Sequence, residues 1–480
     1  MKDLKSKAIN GVFWNSINNF AGLGVQFIVG IILARILSPR EFGLIGMLTI
    51  FIALSETLIN SGLSYSLIRS ENLDDEDYST VFFFNLLVSL IIYIIIFFLA
   101  PYIASFYNQE ILTMLIRVYS ITFIINAFST VQTTRLTKIM DFKTQMKVSI
   151  PSLVIGSSIG IYMAYNGFGV WSLVWNIIIQ SLLSSIQLWY WTNWKPTFVF
   201  NIEKFKYHFN FGFKLMLSSV LDVIFKNSYA IIIGKYYSAS DVGYYNRADS
   251  FQMLPAKSLG SVLSKVTYPL FSTIQNDVVK LKSVYKKIMQ MAIFLIAPTI
   301  TFMIVLAEPL FRFVLTEKWL PAVPYFQILC ITGLLYPLHV YNLQILNIMG
   351  RSDLFLKLEI LKKIIFAIII LISFNFGIYG LLYGSVINSI ICFFINTHYS
   401  GKFLNYSSWE QTQGLLPILM ISLFTGGVIH FFDKILLNHL FFDSSRLFLG
   451  SLVGAVLFLI LGRLFKISSL QDLINIIKRK

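Results

Sequence analysis

Long apolar runs separated by short polar clusters dominate the chain, with the uncharged stretches Val81 to Ala100 and Ile364 to Phe374 as examples. A helix needs roughly 20 residues to cross a bilayer, and a span reads as a long apolar run bounded by charge, proline or glycine. On that pattern spans are expected at 12–36, 41–66, 80–106, 112–133, 147–166 and 169–193. A second set follows at 211–234, 246–271, 287–313, 324–348, 357–376 and 378–399, and a last pair at 414–432 and 446–465. The expectation is about fourteen helices. Membrane β-barrels show short alternating segments instead, so the spans are helices.

Composition agrees with the pattern. Of 480 residues, 56% are apolar and 13% charged, and the mean hydropathy is +0.73. This is an all-α integral membrane protein, and a soluble enzyme on a tail anchor is excluded. The formal net charge of +15 does not point to nucleic acid, because the basic residues lie in short clusters between apolar runs, where topology signals lie. With the amino terminus inside, 27 of the 38 Lys and Arg residues fall in inner segments, so both termini are expected to be cytoplasmic. The basic start, Met1 to Lys7, leads into a run without a small-residue cleavage site and reads as a retained first span. Cys330 and Cys392 lie in apolar stretches and suit buried free thiols.

The chain also repeats itself. At a shift of 200 residues, Arg35, Ser38, Glu41 and Gly43 fall on Lys235, Ser238, Asp241 and Gly243. At a shift of 208, the run Phe168-Gly169-Val170-Trp171-Ser172-Leu173 falls on Phe376-Gly377-Ile378-Tyr379-Gly380-Leu381. Two matches at nearly one period argue for duplication. Six helices per copy make both copies enter the membrane in one sense, related by a pseudo-two-fold axis along the membrane normal. The expected organisation is an N-terminal lobe over 1–195, a C-terminal lobe over 196–402, and a helix pair with a basic tail over 403–480. The seam between the lobes is the expected substrate path.

Asn15, Asn18, Asn19, Gly22 and Gln26 of the first span lie at i, i+3, i+4, i+7 and i+11, a single helical stripe. Under the 200-residue shift Asn18, Asn19, Gly22 and Gln26 fall on Ser218, Ser219, Asp222 and Lys226 of the seventh span. Such groups serve elsewhere as glue between membrane helices, worth about 1 kcal/mol each. A stripe that recurs with charges added points instead to a water-filled cavity.

Ionisable groups at the bilayer centre cost roughly 2.5 to 3.5 kcal/mol unless they face water or a partner. Glu56 lies midway along the second span, Asp222 and Lys226 sit one turn apart on the seventh, and Arg247, Asp249 and Lys257 enter the eighth beside Gln252. Ion pairing within the bundle, such as Asp222 with Lys226, is the bland account. A cavity holding both signs, with cations in slight excess, suits an amphiphile bearing phosphate or diphosphate, because Lys and Arg give charge-assisted hydrogen bonds to its oxygens. Lys226, Arg247, Lys257, Gln252 and the amide stripe are therefore the candidate substrate contacts. Glu56, Asp222 and Asp249 are candidates to bind a coupling proton or sodium ion.

Catalytic chemistry finds little support. The acidic run Asp74 to Asp77 opens the third span in a short loop, where helix capping explains it. His208, His339, His398, His430 and His439 are dispersed, without metal-ligand spacing, and no glycine-rich phosphate loop suggests a nucleotide. No cofactor or metal is expected.

The segment Leu33-Ala34-Arg35-Ile36-Leu37-Ser38-Pro39-Arg40-Glu41-Phe42-Gly43-Leu44-Ile45-Gly46-Met47, with Asn60-Ser61-Gly62-Leu63 and Leu67-Ile68-Arg69 after it, resembles the Wzx-type polysaccharide exporters of the multidrug/oligosaccharidyl-lipid/polysaccharide superfamily. The likeness is to the branch of colanic-acid and teichuronic-acid exporters, and is strongest over residues 1–150. It implies a two-lobed bundle of twelve or fourteen helices in the bacterial plasma membrane. Such a bundle flips undecaprenyl-diphosphate-linked oligosaccharide outward by alternating access, coupled to an ion gradient. It also implies that basic residues of a central cavity hold the diphosphate, a role that falls here to Lys226, Arg247 and Lys257. Lipid II flippases share the fold but usually carry arginines in the first two spans, where this chain has amides and Glu56. Two rivals are a cation-coupled multidrug antiporter, which would favour carboxylates and aromatics, and a membrane glycan polymerase or ligase, which would need a large outer loop that the chain lacks.

Overall fold

The structure is a computed structural model that describes residues 2–437 and 442–478; His439 lies outside them. No strand occurs among the described residues. The chain divides into two compact units, Met1–Gly243 and Tyr244–Lys480.

The first unit begins with α1 (Lys2–Ile36), α2 (Pro39–Asn60), the short α3 (Leu63–Arg69) and α4 (Asp75–Tyr107). It continues with α5 (Ile111–Tyr119), α6 (Ile121–Lys138), α7 (Phe142–Tyr165), α8 (Trp171–Trp191) and α9 (Ile202–Tyr236). Local chemistry sets the boundaries. The Ser38 side chain accepts from the backbone of Glu41 while the Glu41 carboxylate accepts from Ser38 N at 2.5 Å, a reciprocal cap with Pro39 at the first helical position. Asp74 and Asp77 close the same box on α4, at 3.0 and 3.1 Å. The acidic run is thus a cap, as its position suggests. The Lys204 ammonium also binds Asp74 and holds its carboxyl well below the usual range.

Asp77 then joins a buried chain across helices. His208 Nε2 lies 3.1 Å from Asp77 Oδ1 and its Nδ1 lies 2.8 Å from Ser66 Oγ, tying α3 and α4 to α9. Around it pack Leu63, Leu67, Tyr78, Val81, Phe82, Val131 and Trp194. Close approach of α3 and α9 requires Gly62 and Gly212: a Cβ on Gly62, whose φ is +67°, would meet Gly212 O at 2.3 Å.

The second unit holds most of α10 (Ala239–Thr273), then α11 (Val278–Val305), α12 (Ala307–Leu315) and α13 (Val323–Ile348). After these come α14 (Ser352–Ser373), α15 (Gly377–Leu404), α16 (Ser408–Phe432), α17 (Asp443–Leu464) and α18 (Ser468–Lys478). Its core is a large apolar cluster that includes Phe271, Tyr285, Met289, Ile293, Tyr341, Ile345 and Phe458. Arg446, 5% exposed, makes a two-pronged ion pair with Asp433 at 2.9 and 2.7 Å and reaches Asp443 at 3.0 Å. A buried guanidinium survives only with such compensation.

Twelve helical stretches among the described residues are long and apolar enough to cross a membrane, so the expected count of about fourteen is not confirmed by that measure. Two local features account for the difference. The stretch Ser352–Leu404 contains two helices, α14 and α15, parted by a 3-10 turn at Phe374–Phe376. The 35-residue α10 is long enough, but Asp241, Arg247 and Asp249 make its first half too charged.

The repeated segment appears as one piece of geometry built twice. Ser238 and Asp241 form the same reciprocal bonds as Ser38 and Glu41, at 3.1, 2.7 and 3.1 Å. The glycines two residues further on are forced by close packing: a Cβ on Gly43 would lie 1.6 Å from Ala239 O, and one on Gly243 would lie 2.1 Å from Pro39 O. Pro39 and Ala239 hold matching positions in the repeat, so the contact is reciprocal.

Candidate functional site

A polar cavity of about 610 Å³ in the first unit is walled by α2, α3, α6 and α9. The α6 wall presents Asn126, Ser129, Thr130, Thr133, Thr134 and Thr137, at i, i+3, i+4, i+7, i+8 and i+11. Opposite stand Glu56, Thr57 and Asn60 of α2, Ser64 and Tyr65 of α3, and Ser219 of α9. Phe123 and Tyr65 are the aromatic members, and no Lys, Arg or His lines the space. Glu56 is exposed into this cavity and makes no hydrogen bond or ion pair among the described residues.

The wall's hydroxyls are already oriented. Thr130 donates to Asn126 O at 2.8 Å, Thr133 to Ser129 O at 3.1 Å, Thr134 to Thr130 O at 2.8 Å and Thr137 to Thr133 O at 2.9 Å. Thr57 does the same to Ala53 O at 2.7 Å. A hydroxyl has one hydrogen, so Thr57, Thr130 and Thr133 keep lone pairs as acceptors, whereas Thr137 Oγ1 already accepts from Gln145 Nε2 at 2.9 Å and Thr134 Oγ1 is bonded to Ser64 Oγ at 3.1 Å. The same local bonds make these residues tolerable in a membrane helix, since no polar group is left without a partner.

The amide stripe of α1 takes a different place. Asn18, Asn19, Gly22 and Gln26 border a second cavity of about 330 Å³, with Ser149 and Ser152 of α7 and Gln180 and Ser184 of α8. Asn18 Oδ1 accepts from Ser149 Oγ at 2.7 Å, and Asn19 Nδ2 donates to Asn15 Oδ1 at 3.0 Å. Asn18 therefore joins α1 to α7, while Asn19 and Gln26 are exposed.

On α9, Asp222 is half-buried and Lys226 exposed, and Lys226 makes no ion pair among the described residues. In the second unit α10 brings Arg247, Asp249, Gln252 and Lys257 together over three turns. Arg247 lies over the Trp319 ring at 5.5 Å. Gln252, fully buried, donates to Asp249 Oδ1 at 2.9 Å, and its own Oε1 has no partner. Lys257 is exposed, with its charge acting on Asp249. Among the described residues no group of His, Cys, Asp and Glu could hold a metal ion.

Sequence reading singled out Glu56 and Ser219 but missed the α6 wall that faces them. Its signal was present: the spacing is that of the α1 stripe, written in Ser and Thr rather than Asn and Gln.

Known proteins resemble this chain along its length. A family model described as "Polysaccharide biosynthesis protein" matches residues 32–324, a stretch that contains the exporter-like segment Leu33–Met47. The teichuronic acid biosynthesis protein TuaB of Bacillus subtilis (strain 168) is 25% identical over 359 residues, 74% of each chain. The lipopolysaccharide biosynthesis protein WzxC of Escherichia coli (strain K12) is 23% identical over 437 residues, 89% of each. Among solved structures, the lipid II flippase MurJ in an inward closed conformation superposes with a TM-score of 0.77 at 16% identity, covering 96% of this chain and all of that one. At that identity the likeness is one of fold.

Proposed function

The chain belongs to the polysaccharide biosynthesis protein family, and from that premise we propose that it is a flippase for lipid-linked oligosaccharide. It carries a sugar-bearing polyprenyl diphosphate, with undecaprenol as the carrier, from the inner to the outer leaflet of the bacterial plasma membrane. The process is alternating access without covalent chemistry, and both termini lie in the cytoplasm.

One observation carries the reading: a hydroxyl- and amide-lined cavity of about 610 Å³ stands inside the first unit, whose α9 bears the exposed cation Lys226, and α10 of the second unit bears the exposed Lys257. Such groups are expensive in hydrocarbon unless a polar cargo or water meets them. The cargo has the matching parts. A diphosphate takes charge-assisted hydrogen bonds from Lys226, Lys257 and Arg247, and a glycan exchanges hydrogen bonds with hydroxyls and amides. Glu56, Asp222 and Asp249 are the groups we assign to a coupling proton or sodium ion.

Glu56 on its own would also suit a cation-coupled drug antiporter. Such a site would favour several carboxylates and a lining of aromatic rings; the cavity has one carboxylate, and Phe123 and Tyr65 are its aromatic members. The flippase reading is tested by depleting the protein in cells. Accumulation of a lipid-linked sugar on the inner leaflet is expected, and an unchanged inner-leaflet pool with impaired efflux of hydrophobic cations would replace this reading by the antiporter.

A further inference from the structure

Resting on the reading of the chain as a carrier of lipid-linked sugars, we propose that the cavity between α2, α3, α6 and α9 seats the glycan, and that it selects neutral or amino-bearing sugars against carboxylated or sulfated ones. The selection follows from the lining. Thr57, Ser129, Thr130 and Thr133 each donate to a backbone carbonyl, so these hydroxyls offer lone pairs, beside the amides of Asn60 and Asn126, which both donate and accept. At the hydroxyls, ligand groups that donate are favoured. A sugar hydroxyl or ammonium does so, whereas a carboxylate, sulfate or ionised phosphate brings only acceptors.

Glu56 sharpens the preference. Its carboxyl faces the space without a partner among the described residues, so an anionic sugar would add like charge where an uncharged one adds a donor. Among the described residues no cation lines the cavity to pair with it, and the basic residues of α3 and α6 are engaged elsewhere. Arg135 lies over the rings of Tyr78 and Trp194 at 4.8 and 5.2 Å, and Arg69 over Phe211 at 4.6 Å. Lys138 donates to the carbonyls of Leu67 and Ser70. The diphosphate finds no cation here and must be held elsewhere, which separates the two ends of the substrate. The exposed Tyr65 supplies an apolar face against which the C–H side of a sugar ring can pack.

The test measures binding to the full chain in lipid nanodiscs with three probes: undecaprenyl diphosphate bearing a neutral tetrasaccharide, the same lipid with one sugar replaced by its uronic acid, and undecaprenyl diphosphate alone. The wild type is expected to prefer the neutral glycan by about tenfold or more. Glu56→Gln should bring that ratio within about twofold. Thr133→Val should weaken the neutral glycan about threefold to tenfold, Thr133→Ser should restore it, and the sugar-free carrier should bind all variants alike, which also reports that they are folded. Equal binding of acidic and neutral glycans to the wild type, or a preference that survives Glu56→Gln, overturns the proposal. So does a loss in Thr133→Val that extends to the sugar-free carrier. Translocation across vesicles, followed separately, tests the flippase reading: the expected preference without translocation would sink that reading and leave the glycan seat standing.

Discussion

Two turns 200 residues apart, between α1 and α2 and between α9 and α10, are copies of one device, and the helices that lead into them are not. Both turns keep a serine cap, an acidic residue three positions on that bonds back to it, and a glycine two further on. Geometry accounts for the match: the cap satisfies backbone donors that have no partner inside the helix, and the glycines face a carbonyl at a distance no Cβ tolerates. The helix bodies differ because nothing in the backbone dictates them. Asn18, Asn19, Gly22 and Gln26 of α1 border a cavity beside α7 and α8, whereas their counterparts on α9 include Ser219 on the larger cavity and the charged pair Asp222 and Lys226. What stays the same in the two copies serves the fold, and what differs is where we propose that substrate chemistry is written.

That contrast breaks first at the glycines. Gly43→Ala places a methyl group 1.6 Å from Ala239 O, a backbone atom with no freedom to yield, so folded protein in the membrane should fall by at least about tenfold; detergent-solubilised abundance checks it. Gly243→Ala should act in the same direction. The helix bodies should behave oppositely. Lys226→Ala combined with Lys257→Ala should leave abundance unchanged and cut translocation of the lipid-linked glycan by about tenfold or more, the worth of a lost charge-assisted hydrogen bond. Smallest are the caps: Ser38→Ala and Ser238→Ala should each cost about 1 kcal/mol in denaturant unfolding and leave transport per folded molecule unaltered. Equal effects of the caps and the lysines on transport would erase the distinction.

Much of the frame was legible in the chain itself. The apolar runs marked α4, α11 and α16, and the expected span at 246–271 falls within α10, whose charges keep it below a purely compositional threshold. The internal match, read as duplication, appears in three dimensions as a capped turn built twice. Two things were hidden for physical reasons. The α6 stripe is present in the spacing, but threonines that bond their own helix backbone look like ordinary helix residues, so its role as a cavity wall emerges only once α2 and α9 close over it. The Ser66–His208–Asp77 chain joins residues 142 and 131 positions apart, a separation at which local pattern carries no information. The amide stripe was legible as a stripe, but its bond to Ser149 belongs to the packing of α1 on α7.

The central claim is that a diphosphate-linked glycan crosses the bilayer through this protein on its cationic and hydroxyl-bearing helices. The most direct measurement reconstitutes the purified chain in vesicles with a lipid-linked oligosaccharide and follows how much becomes accessible to an external glycosidase. Accelerated exposure by the wild type, lost in the Lys226→Ala, Lys257→Ala double variant, is the predicted result; exposure no faster than in protein-free vesicles would contradict it.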